Sequence, residues 1–112
     1  MSRTPKWLRE AAWERADATC EAMIPQAGCS WYGTDVHHRK KRSAGGEHSL
    51  DNALWVCRSC HQYLEAHPAW SFDRGLLVHA WDTPTWPPVY FRGRMTNREE
   101  EDSGDDQAGA RP

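Results

Sequence analysis

The sequence predicts a small α+β domain: two short strands and a helix around a metal staple, with one helix before them and a β-hairpin after. Three observations predict it. The chain has 112 residues, 38% of them apolar, and a core this thin calls for a staple such as a metal or disulfides. Four cysteines, Cys20, Cys29, Cys57 and Cys60, stand as two pairs, one before and one within a polar stretch. That stretch, Val36 to His67, holds five of the six histidines, together with Gly45-Gly46, a lone Asn52 and Cys57-x-x-Cys60-His61. So many titratable groups in so few residues point to chemistry rather than packing.

Each element follows from its residues. Thr4-Pro5 is a helix start, with Thr able to cap and Pro suited to the first turn. Trp7, Leu8, Ala11, Ala12, Arg15 and Ala16 then keep helical spacing, predicting a helix over about Pro5 to Ala18. Its apolar side is expected on the core, and Arg3, Lys6, Arg9 and Arg15 on its outer side. Pro25 and Gly28 make the interval from Cys20 to Cys29 a loop. Asp35 to His38 reads as a strand, and Ser43 to Gly46 as a tight bend in which Gly supplies backbone angles other residues avoid. Leu54-Trp55-Val56 is an apolar, partly β-branched second strand. Cys57 to Cys60 is a knuckle leading into a helix over about Ser59 to Ala66, which Pro68 ends. A short helix closed by Gly75 follows. Leu76 to Ala80 and Val89 to Arg92 are expected to pair as the hairpin across a Pro-rich loop. The Trp residues are expected mostly in the core, Trp55 above all.

Charge divides the chain. Residues 99–112 carry six acids against Arg111, whereas residues 1–98 carry 13 Lys/Arg against 10 acids. The expectation is a domain over residues 1–95 and a disordered acidic tail over 96–112. The tail is expected to aid solubility, with restraint of a basic site as the alternative. Arg39-Lys40-Lys41-Arg42, beside His37-His38, suits a polyanion. No apolar run is long enough to cross a membrane, and the first residues lack the apolar segment of a secretory signal. A cytoplasmic location is therefore expected, where reducing conditions favour zinc over disulfides. Four thiolates make a closed tetrahedral site that contributes folding energy.

Hydrolysis of a phosphodiester needs a base for water, a cation for the developing charge and help for the leaving oxygen. Successive strand residues face opposite ways, so of His37 and His38 one can bind metal while the other faces the water. His61 can turn back toward the strands. Glu65, at i+4 from it, lies on the same helix face and can share a cation. Asn52 can hold a loop in shape or orient the catalytic ring. His61 could instead complete a zinc site of three thiolates and one imidazole. His48 and His67 read as solvated loop residues and His79 as structural.

His37-His38, Gly45-Gly46, Asn52 and Cys57-x-x-Cys60-His61, in that order, resemble the HNH endonuclease family with its ββα-metal motif. The helix R-E-A-A-W-E-R-A-D-A-T-C-E resembles the lead-in common there. The similarity covers roughly Trp7 to Pro68. The fold it implies is a ββα-metal finger (HNH, treble-clef-like), and the activity a metal-dependent cleavage of DNA. It implies His38 as general base, His37 and His61 as ligands of a divalent cation (Mg2+, Mn2+, Ni2+ or Zn2+), and Asn52 as support for the loop or the base. Glu65 stands where members near the bacterial nuclease toxins carry His, and it is the departure within the expected ligand set. The long interval between Cys20 and Cys29 also departs from the commonest C-x-x-C form. Arg39, Lys40, Lys41, Arg42 and Arg58 are expected to grip flanking phosphates. One such site cuts one strand, so nicking by a monomer or weak dimer is the expected act. The segment C-H-Q-Y-L-E-A-H-P, then G-L-L-V, resembles small HNH proteins of bacteriophages and prophages. By analogy this implies a setting in the host cytoplasm and a DNA-packaging role beside terminase. The competing expectation is a non-catalytic zinc module that binds nucleic acid or protein.

Overall fold

The computed structural model describes residues 4–96; the expected acidic tail beyond Thr96, and Arg3, lie outside the described residues. Helix α1 spans Lys6–Ala16, strand β1 Asp35–His38, strand β2 Ala53–Val56, helix α2 Arg58–Ala66, helix α3 Pro68–Asp73, and strands β3 and β4 Tyr90–Phe91 and Arg94–Met95. Single 3-10 turns occupy Pro25–Ala27 and Arg42–Ala44. Among the described residues no helix is long and apolar enough to cross a membrane.

The finger is the antiparallel pair β1–β2, registered so that His37 faces Leu54 and Val36 faces Trp55, followed by α2. All four residues of β2 are buried because both faces are covered. On one face Leu54 and Val56 meet Cys60 and Leu64 of α2, with Ile24, Leu76 and Tyr90. On the other Trp55 meets Ala12 and Ala16 of α1, with Val36 and Leu50 at the edge. Side-chain alternation therefore sends Asp35 and His37 toward α2, and Val36 and His38 the other way.

Helix α1 is shorter than its spacing predicts. Pro5 is its cap and makes no side-chain cap bond, and the helix stops at Ala16, where Asp17 and Ala18 take left-handed φ of 54° and 65°. The chain leaves the helix there because Cys20 N–H donates to the Trp31 carbonyl (2.7 Å) and Thr19 bridges to Tyr32. Arg15, expected on the outer side, turns inward instead. It donates to both oxygens of the fully buried Glu21 (2.9 and 2.8 Å) and to the carbonyls of Leu50 and Ala53 (both 2.7 Å). Glu21 in turn accepts from the Trp55 N–H (2.9 Å), so the pair clamps α1 to β2. Breaking one partner of a buried pair typically costs about 3–5 kcal/mol.

Two expectations are corrected. The hairpin is not formed by 76–80 with 89–92; β3 pairs with β4, Tyr90 against Met95. The N–H groups of Leu76 and Leu77 are used on the Ser71 carbonyl, closing α3, and that of Val78 on the Arg39 carbonyl (2.8 Å), so this segment has other work than a ladder. Nor are the Trp residues mostly core. Trp55 is buried, but Trp7, Trp13, Trp31 and Trp81 are more than half exposed.

Candidate active site

The four sulfurs come together, all within 4.8 Å of one another, with Cys29 and Cys57 Sγ 3.9 Å apart. A zinc–sulfur bond of about 2.3 Å implies a tetrahedral edge of about 3.8 Å, so the spacing suits zinc. Each sulfur also receives a backbone N–H: Cys20 from Met23, Cys60 from Ile24, Cys29 from Trp31 and Cys57 from Cys60, at 3.3–3.4 Å. Four thiols this close cannot share charge evenly. A bond from Cys60 pulls the Cys20 thiol down to about 5, and the same bond pushes Cys60 up. A cation among them removes that conflict. The residues fit the metal. They also explain the long Cys20–Cys29 interval: its turn at Pro25–Ala27 and a left-handed Gly28 (φ 71°) fold the loop back.

The second cluster is built from β1 and α2. His37, His61 and Glu65 each point one ligand atom into a common space, again within 4.8 Å. His37 is buried on β1, and its Nε2–H donates to the Leu76 carbonyl (2.7 Å), which leaves the Nδ1 lone pair facing Glu65 Oε2 at 3.5 Å. His61 Nδ1–H donates to Asp35 Oδ2 (2.9 Å), leaving Nε2 facing Glu65 Oε2 at 3.8 Å. Each imidazole is thus fixed by an acceptor on its far nitrogen, the usual way of orienting metal-binding His. Burial holds His37 below the ordinary imidazole pKa, so it offers a neutral ring. The Lys41 ammonium, 2.6 Å from Oε1, keeps the Glu65 carboxylate ionised. Two imidazoles and a carboxylate on one side, with the Glu65 side chain still 37% exposed, are a donor set that suits a divalent cation and leaves room beside it. His61 sits in this set and not in the thiolate site.

Asp35 was not among the expected residues. It accepts from His61, from Arg58 (2.9 and 3.2 Å) and from Thr34 (2.9 Å). Burial raises its pKa, but those bonds outweigh it and hold the carboxyl near 2. Its position two residues before His37, on the same strand face, was the available signal. The Leu76 carbonyl had none, because every residue carries one.

His38 lies on the opposite side of the strand from His37. Its Nε2 is 3.0 Å from His48 Nδ1, with the rings edge to face. Burial, then the neighbouring His48, His37 and Arg42, depress its pKa to about 4. The ring is therefore neutral at pH 7, and its Nδ1 makes no hydrogen bond among the described residues. His48, read as a solvated loop residue, is instead the partner of the expected base. The loop that presents it is tightly wound. Gly45 has φ 93°, and a Cβ on Gly46 would lie 1.7 Å from the Lys40 carbonyl oxygen. Buried Asn52 ties the loop shut: its amide donates to the carbonyls of Lys40 (3.0 Å) and Glu47 (2.9 Å) and accepts from Lys40 N–H (2.7 Å). Its side chain serves the loop.

The basic residues divide. Arg39, expected to grip phosphate, is 2% exposed and donates to the carbonyls of Gly75, Asp51 and Thr85 at 2.7–2.9 Å; it is a structural brace. Lys40 Nζ rests on the Asp82 carbonyl (3.0 Å), Lys41 on Glu65 (2.6 Å), and Arg42 on the Gly46 carbonyl. Lys41 and Arg58 have half or more of their side chains exposed, so these two flank the His37–His61–Glu65 cluster from the solvent side.

Residues 20–66 match the family model described as HNH endonuclease. No curated protein and no solved structure matches the chain.

Proposed function

We propose that this chain, whose residues 20–66 belong to the HNH endonuclease family, is a metal-dependent endonuclease that nicks DNA, with His38 as general base. HNH nucleases act on DNA and use a divalent metal. The observation that carries the reading is the convergence of His37 Nδ1, His61 Nε2 and Glu65 Oε2 on one side of β1, with a neutral His38 next in the chain on the other. A divalent cation (Mg2+, Mn2+, Ni2+ or Zn2+) bound there would supply Lewis-acid stabilisation of the phosphoryl and leaving oxygens. Zinc on Cys20, Cys29, Cys57 and Cys60 holds the fold.

The chain's own residues do the rest. His38 accepts the proton of the attacking water at Nδ1 while His48 holds its Nε2. Asn52 positions both by closing the loop between them. Leu76 and Asp35 fix the tautomers of His37 and His61. Lys41 and Arg58 meet the phosphates on either side, which positions DNA without reading its sequence. The domain is residues 1–95, acting as a monomer or weak dimer. A setting in phage DNA packaging beside terminase rests on the resemblance of the segment after Cys60 alone.

Plasmid nicking with each cation tests this. His38→Ala is expected to fall about 10²–10⁴-fold with an unchanged melting curve. A folded variant as active as wild type overturns the base assignment. No nicking by wild type with any of the four cations favours a non-catalytic zinc module.

A further inference from the structure

Outside the site, three rings stand in a parallel stack. Phe72 of α3 lies 3.9 Å from His79 at an interplanar angle of 4°, and His79 lies 4.5 Å from Trp81 at 6°. The stack is rooted at one end and open at the other. Phe72 packs against the core, His79 is sandwiched, and Trp81 is 79% exposed, so its outer face meets solvent. A hydrogen bond from Asp82 N–H to the His79 carbonyl (3.0 Å) fixes the turn that presents it. The stack is also tied to the end of β1: Val78 N–H donates to the Arg39 carbonyl, and Lys40 Nζ to the Asp82 carbonyl. An ordered indole face beside the strand that bears His37 and His38 is a sequence-tolerant seat for a nucleobase, since every base has a π-face.

We infer that Trp81 stacks an unpaired base of the DNA, so that the site favours substrates with a single-stranded segment over intact duplex. The ligand class rests on the nuclease reading. The group that enters is the base rather than the phosphate, because the exposed indole offers a flat apolar face and no charge; the Lys40 ammonium, held on the carbonyl of Asp82 next to Trp81 in the chain, is a cation for the backbone. A base paired within a duplex keeps its faces covered by its neighbours and cannot use the platform.

The test is anisotropy of a labelled 30-nucleotide single strand and of the blunt 30-base-pair duplex of the same sequence, without added divalent cation. Trp81→Ala is expected to weaken single-strand binding about tenfold, to leave duplex binding within twofold, and to be rescued by Trp81→Phe. Trp7→Ala, at another exposed tryptophan, is expected to change neither. The inference is overturned if Trp81→Ala binds single strand as wild type does, if the duplex loses as much, or if Trp7→Ala loses equally. Nicking by wild type is scored separately. Absent nicking with the Trp81 difference intact removes the nuclease reading and keeps the stacking; nicking without that difference does the reverse.

Discussion

The two clusters share helix α2, on which Cys60 and His61 are neighbours, yet they are built in opposite ways. The thiolate site takes a backbone N–H at every sulfur, and three of its four cysteines are buried. Its ligands come from three separate stretches of chain, so what it closes is the fold itself. The imidazole–carboxylate site takes its partners on the far side of each ring, from Leu76 and Asp35, and leaves Glu65 part-exposed. One set of donors points inward and is finished; the other is aimed from behind and left open in front. The difference teaches how one helix can serve stability with one face and chemistry with the next.

The largest expected effect breaks the first site. Cys57→Ser should abolish the cooperative thermal transition and lower bound zinc from one per chain to none, because a structural zinc and the fold are coupled. Circular dichroism and metal analysis read this. A Cys57→Ser protein that melts like wild type would show that the thiolates do not hold the fold. Asp35→Asn strikes the second site from behind. It should raise the cation concentration for half-maximal nicking about 10–100-fold while the zinc content stays at one; an unchanged metal dependence removes Asp35 as the residue that aims His61. The smallest effect sharpens the role proposed for His38. His48→Ala removes one neutral hydrogen bond and should slow nicking about five- to tenfold. His48→Asn, which keeps a polar partner, should recover most of it. Equal loss in both variants means that the loop, and not the bond, was disturbed.

The finger was legible because its signals are local. Knuckle spacing, a β-branched run and a helix stopped by Pro68 give Asp35–His38, Ala53–Val56 and Arg58–Ala66 nearly to the residue. The meeting of His37, His61 and Glu65 was legible for the same reason: strand alternation and i,i+4 spacing are properties of one element. What was not legible depends on partners distant in sequence. Arg15 looks like any helix-surface arginine until Glu21 and the ends of β2 are brought under it. Arg39 reads as part of a basic run, and only the return of residues 75–85 makes it internal. The 76–80 segment has strand composition, but its N–H groups are claimed by Ser71 and Arg39. Four exposed tryptophans defeat composition altogether, since a residue type gives a tendency to burial and not a place.

The Arg39 brace and the Leu76 carbonyl have one more consequence, for modularity. The segment that carries the recognisable motif stops at residue 66, but the atoms that aim its histidine and neutralise its buried guanidinium's hydrogen-bonding demand come from Gly75, Leu76 and Thr85. A graft of residues 20–66 into another scaffold would carry His37 without its Leu76 acceptor, and Arg39 without the Gly75 and Thr85 carbonyls. The unit that must be moved, swapped or inherited together is larger than the motif that identifies it.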